Sequence, residues 1–223
     1  MSRWIFLTLL LTASPSWAQA TGSVRIVGTV QEMVSVRFHS DSTSGAGVQG
    51  SNTASSNSDL DYTLDLGNVS VVPGRDNGIR GGRVDLILRA NTSYVLTASV
   101  QGQGFGTHPD EFRLSDIGFG LPSSSITASG ARARSEGTLV MDSRFDSDPL
   151  GAPVANGAAA FTATLQDLEG GVPVLRGERI SYGGSLNSPN NGLVVSTRYA
   201  VVPQYFRGDT RFEATIVYTI SSP

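Results

Sequence analysis

The chain has 223 residues, a formal net charge of −3, 26 glycines, 10 prolines and no cysteine. Its length suits one large β domain. The missing cysteines exclude a disulfide framework, and the small, evenly spread charge argues against nucleic acid or an anionic membrane as partner. Lysine is absent, so all 16 basic residues are arginine, which a GC-rich coding bias explains without any functional role.

Residues 1–20 predict a cleaved secretory signal. Arg3 is the only charge before an apolar run from Trp4 to Leu11, and small residues follow at Ala18 and Ala20. A membrane-spanning helix needs about 20 apolar residues, twice this run, so it reads as a signal rather than an anchor. Cleavage after Ala18 or Ala20 starts the mature protein at Gln19 or Thr21 and places it in the periplasm, at the cell surface or outside the cell. No later stretch is apolar enough for an integral membrane segment.

From there period-two alternation recurs, the pattern of half-buried strands. Val24, Ile26 and Val30 alternate with Ser23, Arg25 and Thr29. Met33–Phe38 is a second candidate strand. His39–Asp59 is nearly all small or polar and is expected to be a flexible Ser/Gly-rich loop, since it cannot bury enough apolar surface to offset ordering. Leu60, Tyr62, Leu64 and Leu66 resume the alternation.

The next pair can be taken to a register. Val84, Leu86, Leu88 and Ala90 form one apolar face, and Tyr94, Leu96, Ala98 and Val100 another. As a hairpin with a three-residue loop at Asn91–Ser93, Ala90 faces Tyr94 and Leu88 faces Leu96, so both faces point inward. The alternative is a crossing between two sheets. Gly102, Gly104 and Gly106 follow as a turn; without a helix behind them they lack the amide cluster of a phosphate site. Phe112–Phe119, Gly137–Met141, Ala158–Leu165, Leu193–Val202 and Phe212–Ile220 complete the candidate strands, with Ser123–Ser135 as a shorter irregular stretch. Gly and Pro between them supply the turns. One domain over residues 21–223 is expected, after the signal at 1–20.

Catalytic chemistry finds little support. His39 and His108 both sit in polar, turn-like sequence, and no H-E-x-x-H, G-x-S-x-G or P-loop pattern occurs. Asp142, Asp146 and Asp148 could offer oxygens to Ca²⁺, but their spacing matches no EF-hand loop, and a solvated acidic turn before Pro149 explains them. A carboxylate pair for glycoside hydrolysis can meet in space from anywhere in the chain, yet Trp4 and Trp17 both leave with the signal, so a sugar cleft would be poor in aromatics. The expectation is no enzyme, no cofactor and no metal.

Several segments taken together carry a resemblance. Gly22–Val30 (GSVRIVGTV) leads to Val34 and Val36, then to Leu64-Asp65-Leu66-Gly67, to Arg83–Val100 ending at Gly102, and finally to Gly208 and Phe212–Ile220 (FEATIVYTI). This order resembles the bacterial spore coat protein U-like and chaperone–usher pilin-like secreted proteins. The resemblance implies an antiparallel immunoglobulin-like (pilin-like) β-sandwich with a structural or surface-assembly role. Its partners would be other copies or a periplasmic chaperone and usher, met through edge strands, with Val24–Val30 and Phe212–Ile220 near the sheet edges. The chain departs from the group in lacking the disulfide that many members carry, and alternation starts at Val24, which leaves no room for a separate N-terminal donor strand. The rival expectation is a periplasmic or extracellular module that binds carbohydrate or protein through its Ser/Gly-rich loops.

Overall fold

Long alternating segments become strands because a pleated backbone sends successive side chains to opposite faces, and only one face can be buried. The computed structural model describes residues 20–30, 47–50, 61–71, 78–88, 90, 92–129, 134–135, 137–181, 192–208 and 210–223. In chain order the strands are β1 (Ala20–Val30), β2 (Gly47–Gly50), β3 (Asp61–Asn68), β4 (Arg80–Leu88), β5 (Tyr94–Gln103), β6 (Ile117–Gly120), β7 (Thr127–Ser129) and β8 (Arg134–Ser135). Then come β9 (Val140–Met141), β10 (Val154–Ala155), β11 (Ala158–Ala159), β12 (Val172–Gly177), β13 (Ile180–Ser181), β14 (Gly192–Val201) and β15 (Thr210–Ser221). Helix is confined to single 3₁₀ turns among the described residues. The protein is all-β.

Two sheets share one core. A seven-stranded sheet runs β2-β3-β1-β15-β5-β12-β9, and a smaller one runs β4-β14-β6, with β7 also paired to β14. Val24, Ile26, Leu64, Leu96 and Ile216 from the first sheet join Val84, Val195, Tyr199 and Phe119 from the second in a single buried cluster. Burying each large aliphatic or aromatic side chain contributes about 1.5–3 kcal/mol. With no disulfide present, this cluster is the main source of stability.

Four expectations need correction or completion. The segment from Arg83 to Val100 is not a hairpin: β4 pairs with β14, whereas β5 pairs with β15 and β12. The chain crosses between sheets there, because two inward apolar faces are satisfied as well by two opposed sheets as by one ladder. The large sheet is mixed rather than antiparallel, since β1 and β3 run parallel; parallel neighbours need a connection of a dozen or more residues, and residues 31–60 supply it. The terminal strands are not at the edges. β1 lies between β3 and β15, and β15 between β1 and β5. Within the stretch expected as a loop at 39–59, residues 47–50 form β2 against β3; the rest of it lies outside the described residues, as do Met33–Phe38 and residues 1–19 of the expected signal.

Smaller deviations have local causes. Phe112–Phe119 and Ala158–Leu165 are strand only at 117–120 and 158–159, and 3₁₀ turns at Leu114–Asp116 and Leu165–Leu168 interrupt the pattern. Thr127–Ser129, within an expected irregular stretch, pairs with β14. Val172–Gly177 escapes a sequence reading because Pro173 lacks a donor and marks edges or bulges; the register of β12 against β5 shifts between Pro173 and Leu175.

Candidate functional site

Four places in the described structure gather chemistry-bearing groups. The first follows β5. Gly104 has φ +77°, and a Cβ there would run into the Arg211 carbonyl, so this glycine lets the turn pass close to β15. Phe105, Phe112, Phe206 and Phe212 stack beneath it, with centroids 4.4 Å apart for Phe112 and Phe212 and 4.8 Å for Phe112 and Phe206. Glu111 closes the turn: its Oε2 accepts the N–H groups of Thr107 and His108, both at 3.0 Å. On the rim, His108 Nδ1 lies 3.3 Å from Asp110 Oδ1, and Arg207 lies 3.6 Å from Asp110 Oδ2. The His108 side chain is 70% exposed, so it is neither sheltered nor fixed by packing as a base would be. A depression of about 380 Å³ opens between Gly104–Gly106, Glu111–Phe112 and Arg207–Gly208. Gly104 and Gly106 serve this turn, whereas Gly102, expected in it, lies within β5 opposite Ala214; His39 lies outside the described residues.

The acidic turn is the second place. Asp142 accepts the Arg144 backbone N–H at 3.0 Å and its guanidinium at 2.6 Å; the side-chain hydrogen bond is the main reason its pKa falls below the usual carboxylate value. Asp146 accepts the Ser123 N–H at 2.7 Å. Asp148 accepts the Leu150 N–H at 3.1 Å and pairs with Arg198 of β14. The three carboxylates therefore point to three different partners. Among the described residues no group of three or more His, Asp or Glu comes together to hold a metal ion. The turn is tied down from below by Phe145, fully buried with its ring 5.5 Å from that of Phe119.

Asp116 is the third. Burial raises its pKa, outweighing the hydrogen bonds from Arg113. Its Oδ2 accepts the Arg113 N–H at 2.8 Å and its Oδ1 is 3.6 Å from the guanidinium, so the shift belongs to a carboxylate that caps its own turn.

The fourth is inside the core and joins the two sheets. Thr197 Oγ1 of β14 donates to the Val84 carbonyl at 3.0 Å and lies 3.1 Å from the Tyr199 hydroxyl, which is 2.7 Å from the Tyr218 hydroxyl of β15. Burial pushes Tyr199 up to about 12 and raises Tyr218 as well, the latter helped by its neighbour. Both phenols stay neutral at any physiological pH, so the chain holds sheets together and offers no nucleophile. The strand Leu193–Val202 was legible in sequence; the inward place of Thr197 and Tyr199 and their meeting with Tyr218 across the core were not.

The remaining polar capacity is in the backbone. β1 pairs along eleven residues with β15, from Ala20 opposite Ile220 to Val30 opposite Thr210, and on its other side with β3. Val24 and Ile26 are fully buried. Each sheet ends in strands with a strand partner on one side only among the described residues: β2 and β9 in the large sheet, β4, β6 and β7 in the small one. No helix among the described residues is long and apolar enough to cross a membrane. Compared with known proteins, the chain matches no protein-family model, no curated protein and no solved structure.

Proposed function

We propose that this chain is an exported structural or surface-assembly protein without catalytic activity, an immunoglobulin-like (pilin-like) β-sandwich similar to the spore coat U and chaperone–usher groups. The place of β1 carries the reading. A first strand that fills a gap between β3 and β15 and buries Val24 and Ile26 has the geometry of strand complementation, in which main-chain hydrogen bonds give affinity and alternate side chains fill pockets. Here the chain supplies that strand to itself. Export through the signal at 1–20 would release the protein at Gln19 or Thr21, at the start of β1. Closed subunits then associate through sheet edges, with other copies or with a periplasmic chaperone and usher.

The rival reading, a carbohydrate- or protein-binding module, draws on the depression beside Phe105 and Phe112. Against it, Glu111 is already bonded to two backbone N–H groups and Arg207 faces Asp110.

Cell fractionation combined with gel analysis tests the proposal. The protein is expected in the surface fraction, associated under native conditions, yet monomeric in SDS without heating. A soluble periplasmic monomer would shift the reading to the binding module. A ladder that resists SDS until heated would replace self-closure by donation of the first strand between copies.

A further inference from the structure

We infer that β4 is a self-pairing edge, through which two copies of this chain join their small sheets antiparallel about a two-fold axis at Val84. This goes beyond the assembly reading above and stands whether or not the protein is exported.

β4 is nine residues long, pairs along its whole length with β14, and has no strand on its other side among the described residues. An edge of that length presents a row of unpaired N–H and C=O groups to any complementary strand. Natural edges are usually blunted by charged side chains, Pro or bulges. β4 has neither Pro nor bulge: its register against β14 is continuous from Arg80 to Leu88, and the charges it does carry on its exposed face are of opposite sign, Arg83 and Asp85, 3.9 Å apart within the strand and 67% and 44% exposed.

Opposite charges with that spacing select a partner. In antiparallel pairing of β4 with a second β4, the register that sets Val84 against Val84 sets Arg83 against Asp85 of the other copy, twice. A register centred on Arg83 or Asp85 instead opposes like charges, which is destabilising across a ladder. Val84 is also the middle residue of Arg80–Leu88, so the charge-matched register is the one that pairs all nine residues. The inner face agrees. Val84 and Leu88 are buried, and a two-fold axis normal to the sheet keeps them on the core side in both copies. The contact is isologous and closes at two subunits; it extends a four-stranded sheet across the dimer and leaves β2 and β9 free.

Sedimentation of the purified protein tests this, with charge-swapped variants. Wild type is expected to show a monomer–dimer equilibrium that weakens as salt rises, since the exposed charge pairs are screened. R83D opposes Asp to Asp85 twice and should raise the dimer Kd by roughly tenfold or more. R83D/D85R restores opposite charges in the same register and should return Kd to within about threefold of wild type. Asp85 accepts the Ser196 hydroxyl at 2.5 Å, so thermal melts check that the double variant is folded; the salt titration of wild type decides the matter if it is not. The inference is overturned by a monomer at concentrations up to about 1 mM, the weak end of specific association. It is overturned equally by a dimer indifferent to R83D or salt, or by one that survives SDS unheated, which would be strand exchange through β1. Failure here leaves the surface-assembly reading standing if larger native species persist, and a β4 dimer found only in the periplasm would do the reverse.

Discussion

Tyr199 carries a polar contact between the two sheets inside the core. It sits between Thr197 and Tyr218, so Tyr199→Phe takes the hydroxyl partner from Tyr218 and one contact from Thr197, which keeps the Val84 carbonyl, whereas Tyr218→Phe leaves Tyr199 still bonded to Thr197. A buried polar group left unsatisfied costs about 1–3 kcal/mol, and a typical hydrogen bond contributes about 0.5–1.5 kcal/mol. Urea unfolding should therefore rank Tyr199→Phe as the more damaging of the two; equal midpoints would refute the chain of contacts. The same burial has a pH signature. Tyr199 is raised to about 12 in the fold, against about 10 for an unfolded tyrosine. A raised folded value means stability is fully present below pH 10 and is lost as pH climbs through the 10–12 window, because the unfolded chain gives up its proton first. Phenolate absorbance at pH 11 should accordingly lag behind the tyrosine content until the protein unfolds.

At the scale of elements, β1 decides whether the fold is closed. Val24 and Ile26 are both fully buried, and at about 1.5–3 kcal/mol each they supply a large part of a net stability of about 5–15 kcal/mol. Deleting residues 21–30 should destabilise the monomer and expose core, producing aggregation that a synthetic Gly22–Val30 peptide suppresses. A truncated protein with an unchanged melting temperature would show that β1 is not needed. The connection from Ala90 to Tyr94 teaches a different lesson. The inward faces of Val84–Leu88 and Tyr94–Val100 were legible in sequence, but their pairing was not, because alternation records which side is buried and not against which strand. Likewise β12 is short and holds Pro173, too brief for a period of two to declare itself, and β6 is only the end of the longer strand expected at Phe112–Phe119.

For the whole molecule, β1 starts at Ala20, where the sequence leads one to expect signal cleavage, after Ala18 or Ala20. Strand pairing begins at Ala20 opposite Ile220, so cleavage after Ala20 releases a mature chain with its first strand almost intact. Intact-mass measurement of the exported protein is expected to give a chain beginning at Gln19 or Thr21, without Trp4 and Trp17; a retained Met1 would refute export by cleavage.

Alone, the sequence determined what local chemistry determines: strand rather than helix, the inward set of residues on β1, β3, β4 and β5, the absence of disulfides, and the turn role of Gly104. It held the ingredients of the later sites too, in Thr197, Tyr199, Tyr218, Arg83 and Asp85. Only the tertiary structure decided that β1 runs parallel to β3, that β4 and β5 part into different sheets, that Asp142, Asp146 and Asp148 turn to separate partners, and that β4 has no strand on its second side among the described residues. The reason is physical. A period of two is written into neighbouring residues, whereas partner, direction and edge are settled by the competition among all strands to bury the same core, and that competition is won over separations of a hundred residues or more, as between β4 and β14.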